Sequence, residues 1–403
     1  MEKCVITSAA RTPVGTFLGS FKTVPPENLA SHVIKEALKR SELKGNQVDE
    51  VIFGHVQANA ECGNLARHAA LLADLPEEVP GYTLDRQCAS SLQTVANAVQ
   101  QIQTENAEII VAGGAESMSR IIYYLPPSAR FEPFRMGHFQ VVDAFLQGGH
   151  SSAPAEIYNK VTMGLTAENV AALHNISREE QDAFALHSQQ KAVQAIQAGR
   201  FQDEIISYEV KSPKGAVVVD NDEHPKANTT LEGLAKLRPA FKKDGTVTAG
   251  NASGMNDAAV AMVVMSETKC RQLGLKPLAR ILGSAITGLD PRIMGLGPVS
   301  SIRKLLNKQG MKLEDIDLFE LNEAFAAQSL GVLKELGMSP GSSLYDRVNV
   351  NGGAIALGHP LGASGGRILT TLMYELKRRN GRYGIASMCI GGGQGMALLI
   401  ETV

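Results

Sequence analysis

The chain carries one run of elements twice, and that repetition restricts its fold more than any other feature. In the first third, residues 3–9 read as a short strand. Glu27 to Leu43 has helical spacing, with Leu29, Val33, Ile34 and Leu38 on one face. Val48 to Val56 reads as a buried strand and Ser91 to Gln103 as a helix, with Leu92, Val95, Ala96 and Val99 on one face. Ile109 to Ala112 is a further buried strand entering Gly113-Gly114. The last third follows the same order. Val299 to Gln309 reads as a helix behind Pro298, Ile316 to Leu321 as a strand, and Gly365 to Arg379 as a helix ending at Asn380-Gly381. Tyr383 to Met388 is then a strand entering Gly391-Gly392-Gly393. Gln47-Val48-Asp49 lines up with Asp315-Ile316-Asp317, and Gly113 to Met118 with Gly391 to Met396. Strands alternating with helices imply α/β layers. The expected fold is α/β, two similar halves packed together with a site at their junction.

Between the halves lies a stretch of another kind, residues 120–249. It is loop-rich at Pro126-Pro127, Gly148-Gly149 and Ser212-Pro213-Lys214-Gly215, with a helical run from Thr166 to Gln197. It reads as an insertion placed over a site as a lid or binding loop. The expected division is residues 1–119 plus 250–273 for the N-terminal half, 120–249 for a loop domain and 274–403 for the C-terminal half.

Composition narrows the function. Lys plus Arg is 39 against 41 for Asp plus Glu, which lacks the basic excess of a nucleic-acid binder. The absence of Trp and 5% aromatics argue against a base-stacking surface. Ala258 to Met265, the longest uninterrupted apolar run, is too short to span a bilayer. The N-terminus shows no charged segment leading into an apolar one, and the C-terminus carries no organelle address. The expectation is a cytoplasmic protein without membrane or nucleic-acid partners. Five cysteines without a CxxC pair suggest neither a disulfide framework nor a structural zinc site, so no metal is expected.

Three segments carry reactive side chains. Cys88, in Asp85-Arg86-Gln87-Cys88-Ala89-Ser90-Ser91, sits where a strand turns into a helix. The positive end of the helix dipole would favour its thiolate and suit a nucleophile. Taken alone it reads more readily as a small buried residue packing a helix start, as most free cysteines are. His359, in Gly358-His359-Pro360-Leu361-Gly362-Ala363-Ser364-Gly365-Gly366, is the only one of nine histidines in such a Gly-rich turn. It suits a base that deprotonates a cysteine, or a loop histidine with no role. Cys389 ends a buried strand ahead of Gly391 to Gly393, where glycine amides could bind an oxyanion. A core cysteine beside a packing turn is the other reading. Asn322, after the strand Ile316 to Leu321, could hold a water or simply cap. Cys4, Cys62 and Cys270 lack such surroundings and read as structural.

These segments together resemble the thiolase family, nearly end to end. The marks are Ala10-Arg11-Thr12-Pro13-Val14-Gly15, the Cys88 segment, Gly113 to Ser119, Gly250-Asn251-Ala252-Ser253-Gly254, Asn322 to Phe325, Gly358 to Gly365 and Cys389 to Gly395. The resemblance implies two αβαβα halves with a loop domain. It implies that Cys88 becomes acylated, that His359 activates it and helps bind the thioester oxygen, and that Cys389 is a second acid/base for the α-proton. Asn322 would hold a water in an oxyanion hole shared with His359. The amides of Cys88 and Gly391 would form a second hole. Phe241, Ala249 and Ser253 match positions lining coenzyme A, and Met294 and Phe325 match apolar walls near the acyl group.

The implied reaction is a reversible Claisen condensation of two acetyl-CoA to acetoacetyl-CoA and CoA, with CoA thioesters as substrates and no cofactor. The implied assembly is a homodimer or homotetramer. Ser91 stands where many relatives have Gly, and Thr162, before Met163-Gly164, where some short-chain biosynthetic relatives carry His. Ala363, rather than Cys, leans toward the short-chain members. The alternatives are a broader-chain 3-ketoacyl-CoA thiolase of fatty-acid degradation and a non-catalytic thiolase-like lipid carrier. The joint presence of Cys88, His359, Cys389 and Asn322 disfavours the carrier.

Overall fold

The apolar strands of both thirds lie side by side in one sheet. A computed structural model of the chain describes residues 2–132, 136, 138, 140–150, 153–213 and 215–403. Its main strands are β1 (Cys4–Arg11), β2 (Glu50–Gly54), β3 (Gly81–Leu84), β4 (Ile109–Ser117), β5 (Asn256–Ser266), β6 (Ala279–Gly288), β7 (Leu318–Leu321), β8 (Tyr383–Ile390) and β9 (Gln394–Thr402). They run in the order β7-β8-β9-β6-β1-β5-β4-β2-β3, with the short strand Gly15–Thr16 added to β5.

The duplication is visible in this order. Outward from the β1–β6 seam, β1, β5, β4 and β2 repeat as β6, β9, β8 and β7. In each half the first two pairings are antiparallel and the third parallel. Each seam strand breaks register at the same place, between Ile6 and Ser8 and between Ile281 and Gly283. The aligned aspartates do the same work. Asp49 Oδ2 accepts the amides of Glu108 and Ile109 at 2.7 and 2.8 Å, and Asp317 Oδ2 accepts those of Arg382 and Tyr383, both at 2.8 Å.

The main helices are α1 (Pro26–Arg40), α2 (Leu65–Leu72), α3 (Ser90–Gln103), α4 (Met163–Leu173), α5 (Arg178–Gln197), α6 (Gly297–Gln309), α7 (Ala326–Glu335) and α8 (Leu361–Arg379). On one outer face α1 covers β5, β1 and β4. On the other α6 covers β9, β6 and β8. Between the half-sheets lie α3 and α8, packed on each other, with α8 touching both β4 and β8. This is an αβαβα stack, and it explains the long apolar run of β5. Ala259, Ala261, Val263 and Met265 face the α1 side, and Ala258, Val260, Met262 and Val264 face the central helices. A strand buried on both faces has no polar alternation to show.

Three sequence expectations are corrected. The strand read as Ile109 to Ala112 does not end at Gly113 and Gly114. They continue β4, opposite Ala261 and Val260 of β5. Laying Ile109 on Tyr383, as the aspartate contacts require, puts Ser117 rather than Gly113 on Gly391. Gly391 to Gly393 form the tight turn between β8 and β9, where Gly392 and Gly393 take φ of 84° and 81°. In the first half residues 118–255 stand in place of that turn, between β4 and β5. The helical run from Thr166 to Gln197 is two helices, α4 and α5. Asn175 breaks it in the left-handed region at φ 49°, and Ser177 caps α5 by accepting the Glu180 amide at 3.1 Å. The helix expected from Gly365 starts four residues earlier, at Leu361. Lys214 of the Ser212–Gly215 loop lies outside the described residues. Among the described residues no helix is long and apolar enough to cross a membrane.

Candidate active site

The duplication brings the two reactive segments to equivalent places. Cys88 stands two residues before α3, and His359 two residues before α8. Each therefore lies at the positive end of a central helix. Gln87, at φ 48°, turns the chain sharply into the Cys88 position. The backbone amides of Gly391 and of Cys88 itself both reach the Cys88 sulfur and favour its charged form. Burial outweighs them and pushes the thiol up to about 11. The expectation of a dipole-stabilised resting thiolate is thus corrected: desolvation wins, and Cys88 rests as a thiol.

His359 is buried and tightly fixed. Its backbone amide donates to Asn256 Oδ1 at 2.9 Å, and Asn256 in turn donates to the Gly15 carbonyl at 2.9 Å. Ser364 donates its single hydroxyl proton to the Pro360 carbonyl at 2.7 Å, so its oxygen is the acceptor toward His359 Nδ1 at 2.6 Å. Nδ1 therefore carries the ring proton, and Nε2 presents a lone pair. Burial, then the Arg367 guanidinium, lowers the imidazole to about 3, so the ring is neutral. Asn322 Nδ2 lies 3.5 Å from Nε2, and Asn322 Oδ1 is a buried acceptor with no protein donor.

With the thiol at about 11 and the imidazole at about 3, both groups rest neutral. The consequence is measurable. The thiolate fraction of Cys88 grows tenfold per pH unit up to its pKa. Alkylation of Cys88 by iodoacetamide should therefore rise about a hundredfold between pH 7 and pH 9 with no plateau. A rate already level at neutral pH would show a standing thiolate and overturn this reading.

Cys389 is fully buried on β8, opposite Gly395 of β9. Burial raises its pKa well above the ordinary thiol range, and the charge of Cys88 raises it further, so the two sulfurs sense each other. Its apolar surroundings include Met294, Ala324, Phe325 and Ala252. Met294 and Phe325 thus share one apolar cluster with the second cysteine. Of the other candidate coenzyme A positions, Phe241 is 41% exposed, meets Phe325 edge-on at 6.0 Å, and lies on Gly164, whose missing Cβ would fall 2.0 Å from the ring. Ser253 is half-buried, its amide donating to the Ala324 carbonyl at 2.9 Å. Ala249 is exposed.

The sequence reading missed several supports. Glu116, fully buried on β4, accepts the amides of Val56, Gln57 and Gly362 at 3.0, 3.2 and 2.9 Å, so one half grips the helix start that follows His359 in the other. Its only signal was its place after the glycine pair. Ser91 Oγ accepts the Gly366 amide at 2.8 Å and ties α3 to α8. Thr162 caps α4 by accepting the Leu165 amide at 3.3 Å.

A duplicated α/β chain with an amide-cradled thiol, a neutral histidine base and a second buried thiol at its mid-plane has the parts of a cysteine acyl-transfer enzyme. Comparison with known proteins narrows that class. Residues 4–268 match the thiolase N-terminal domain, and residues 275–402 the thiolase C-terminal domain. The chain is 52% identical over 397 residues to the acetyl-CoA acetyltransferase of Chromobacterium violaceum, covering 98% of each chain. It is 51% identical over 401 residues to that of Pseudomonas aeruginosa, covering 99% of each. The crystal structure of the Bacillus anthracis acetyl-CoA acetyltransferase superposes with a TM-score of 0.95 at 47% identity, covering 100% of this chain and 99% of that one. Human mitochondrial 3-ketoacyl-CoA thiolase in complex with CoA gives 0.93 at 43% identity, covering 100% and 98%. The chain belongs to the thiolase family.

Proposed function

We propose that the chain is an acetyl-CoA C-acetyltransferase, forming acetoacetyl-CoA and CoA reversibly from two acetyl-CoA through an acetyl group on Cys88. The observation that carries this is a thiol held by two backbone amides that senses a second buried thiol, with a neutral histidine before the central helix packed against its own. As Cys88 sulfur attacks the first thioester carbonyl, His359 Nε2 takes the thiol proton and the oxyanion falls to the amides of Cys88 and Gly391. The carbon–sulfur bond to CoA breaks. Cys389, held as a thiol by burial, gives its proton to the CoA thiolate.

The site is then charged as the second step needs. Cys389 thiolate, buried and hence strongly basic, removes the α-proton of a second acetyl-CoA. The enolate oxygen falls to protonated His359 and to a water held by Asn322 Oδ1. The enolate carbon attacks the acetyl group on Cys88, the Cys88 sulfur leaves, and His359 returns its proton. Every proton is accounted for by the chain's own residues, so the reading includes no metal or redox cofactor in the reaction.

Phe241, Ala249 and Ser253 are assigned to coenzyme A, and Met294 and Phe325 to the acyl pocket. The protein is read as cytoplasmic and as a dimer or tetramer of identical chains. In support, β3 ends the sheet with an edge on which a second copy can pair.

The test is intact-protein mass spectrometry with acetyl-CoA, followed by thiolysis rates across 3-ketoacyl-CoA chain lengths. One acetyl group on the Cys88 peptide and fastest cleavage of acetoacetyl-CoA are expected. No adduct on Cys88 would overturn the mechanism, and faster cleavage of long chains would overturn the acetyl preference.

A further inference from the structure

Away from the active site, a carboxylate, a thiol and an imidazole converge from three separate elements. Glu27 lies in the first turn of α1, Cys62 in the connection from β2 to α2, and His68 on α2. One ligand atom from each lies within 4.8 Å of the others. Cys62 Sγ and His68 Nδ1 are already 3.4 Å apart. Metal bonds of about 2.0–2.3 Å at tetrahedral angles place ligand atoms roughly 3.3–3.8 Å from one another, so small side-chain rotations close the set. Glu27, half-buried, makes no side-chain hydrogen bond or ion pair with any described residue.

The donors choose the ion. A thiolate with an imidazole excludes the hard cations calcium and magnesium, which take oxygen ligands, and suits zinc. Two anionic donors and one neutral donor balance a divalent charge. We propose that Glu27, Cys62 and His68 bind one zinc-like divalent transition ion, with a fourth position left to solvent. Cys62 gives its thiol proton to solvent as the metal–sulfur bond forms. The ion clamps the β2–α2 connection, whose Val56 and Gln57 amides are held by Glu116, onto α1. The ligands are spread along the chain without a CxxC pair, and for that reason the sequence pointed to no metal.

Cobalt(II) is the probe, because a cobalt–thiolate bond absorbs in the near ultraviolet. Titration of the full-length chain should give this band, saturating at one ion per chain. Cys62→Ser should abolish it, and Glu27→Gln and His68→Asn should each weaken binding by more than about tenfold, since loss of even an outer-shell partner costs that much. Cys88→Ala should keep it, which separates this site from the catalytic thiols. Thiolysis activity in the Cys62→Ser protein shows that it is folded. Zinc at saturating concentration should raise the thermal midpoint of the parent and not of Cys62→Ser. No band at one equivalent, a band surviving Cys62→Ser, or a band lost in Cys88→Ala would each overturn the proposal.

Discussion

Cys389→Ala should still acetylate Cys88 while losing condensation by about 10²–10⁴-fold, the range for removal of a positioned acid or base. The two half-reactions ask different things of the two thiols. Forming acetyl-Cys88 needs attack by the Cys88 sulfur, a base and an oxyanion site, all of which the variant keeps. The CoA thiolate can take its proton from His359 instead. Carbon–carbon bond formation needs a base at the α-carbon, and on the mid-plane side Cys389 is the buried thiol that senses the charge of Cys88. The substitution removes one sulfur from an apolar wall of Met294, Ala324 and Phe325, so the scaffold should survive. Cys88→Ala should lose both acetylation and turnover, and His359→Ala should impair both steps. Mass-spectrometric acetylation read beside acetoacetyl-CoA formation separates the three. Condensation at the parent rate by Cys389→Ala, or active-site acetylation in Cys88→Ala, would sink the assignment.

What the sequence made legible follows from locality. Cys88, His359 and Cys389 each sit in a short segment with a helix start or a glycine turn beside it, so the type of site could be read before the contacts were known. The aspartates of the two halves were aligned correctly because each performs a local task, accepting two amides at the start of a neighbouring strand. The glycine segments were aligned wrongly because the same letters serve different forces. Gly391 to Gly393 are glycines for backbone angle, whereas Gly113 and Gly114 are glycines for close approach within a strand. Periodicity does not separate these cases.

Contacts between distant segments stayed hidden altogether. Asn256 holding the His359 amide and Glu116 holding the Gly362 amide join residues far apart in the chain and leave no local pattern. The resting state of Cys88 was misjudged for a related reason. The helix start is local and visible in sequence, but the burial that outweighs it is supplied by the whole fold.

The glycines at the mid-plane lead to the second large effect. A Cβ on Gly114 would lie 2.1 Å from the Gly362 carbonyl oxygen and 2.9 Å from Ser91 Cβ. Neither obstacle is the far end of a flexible side chain. Gly362 belongs to the first turn of α8, three residues after His359, and Ser91 to the first turn of α3, three residues after Cys88. β4 has no room to retreat, because Gly114 is paired on both sides, with Val260 of β5 and Gly54 of β2. Gly114→Ala must therefore push the start of α8 outward or pull β4 from its neighbours. Overpacking of this kind costs about 3 kcal/mol when the obstacle cannot yield. A displacement of about 1 Å at His359 costs roughly 100-fold in rate. The expected result is a thermal midpoint lower by several degrees and kcat/KM reduced to the order of a hundredth. Gly288→Ala, whose Cβ would meet only the Gly393 carbonyl at 3.9 Å, should change the midpoint little and serves as the comparison. Parent-like stability and turnover in Gly114→Ala would mean that the halves are not held at contact distance there, and that the close approach of β4 to α8 does not position the histidine.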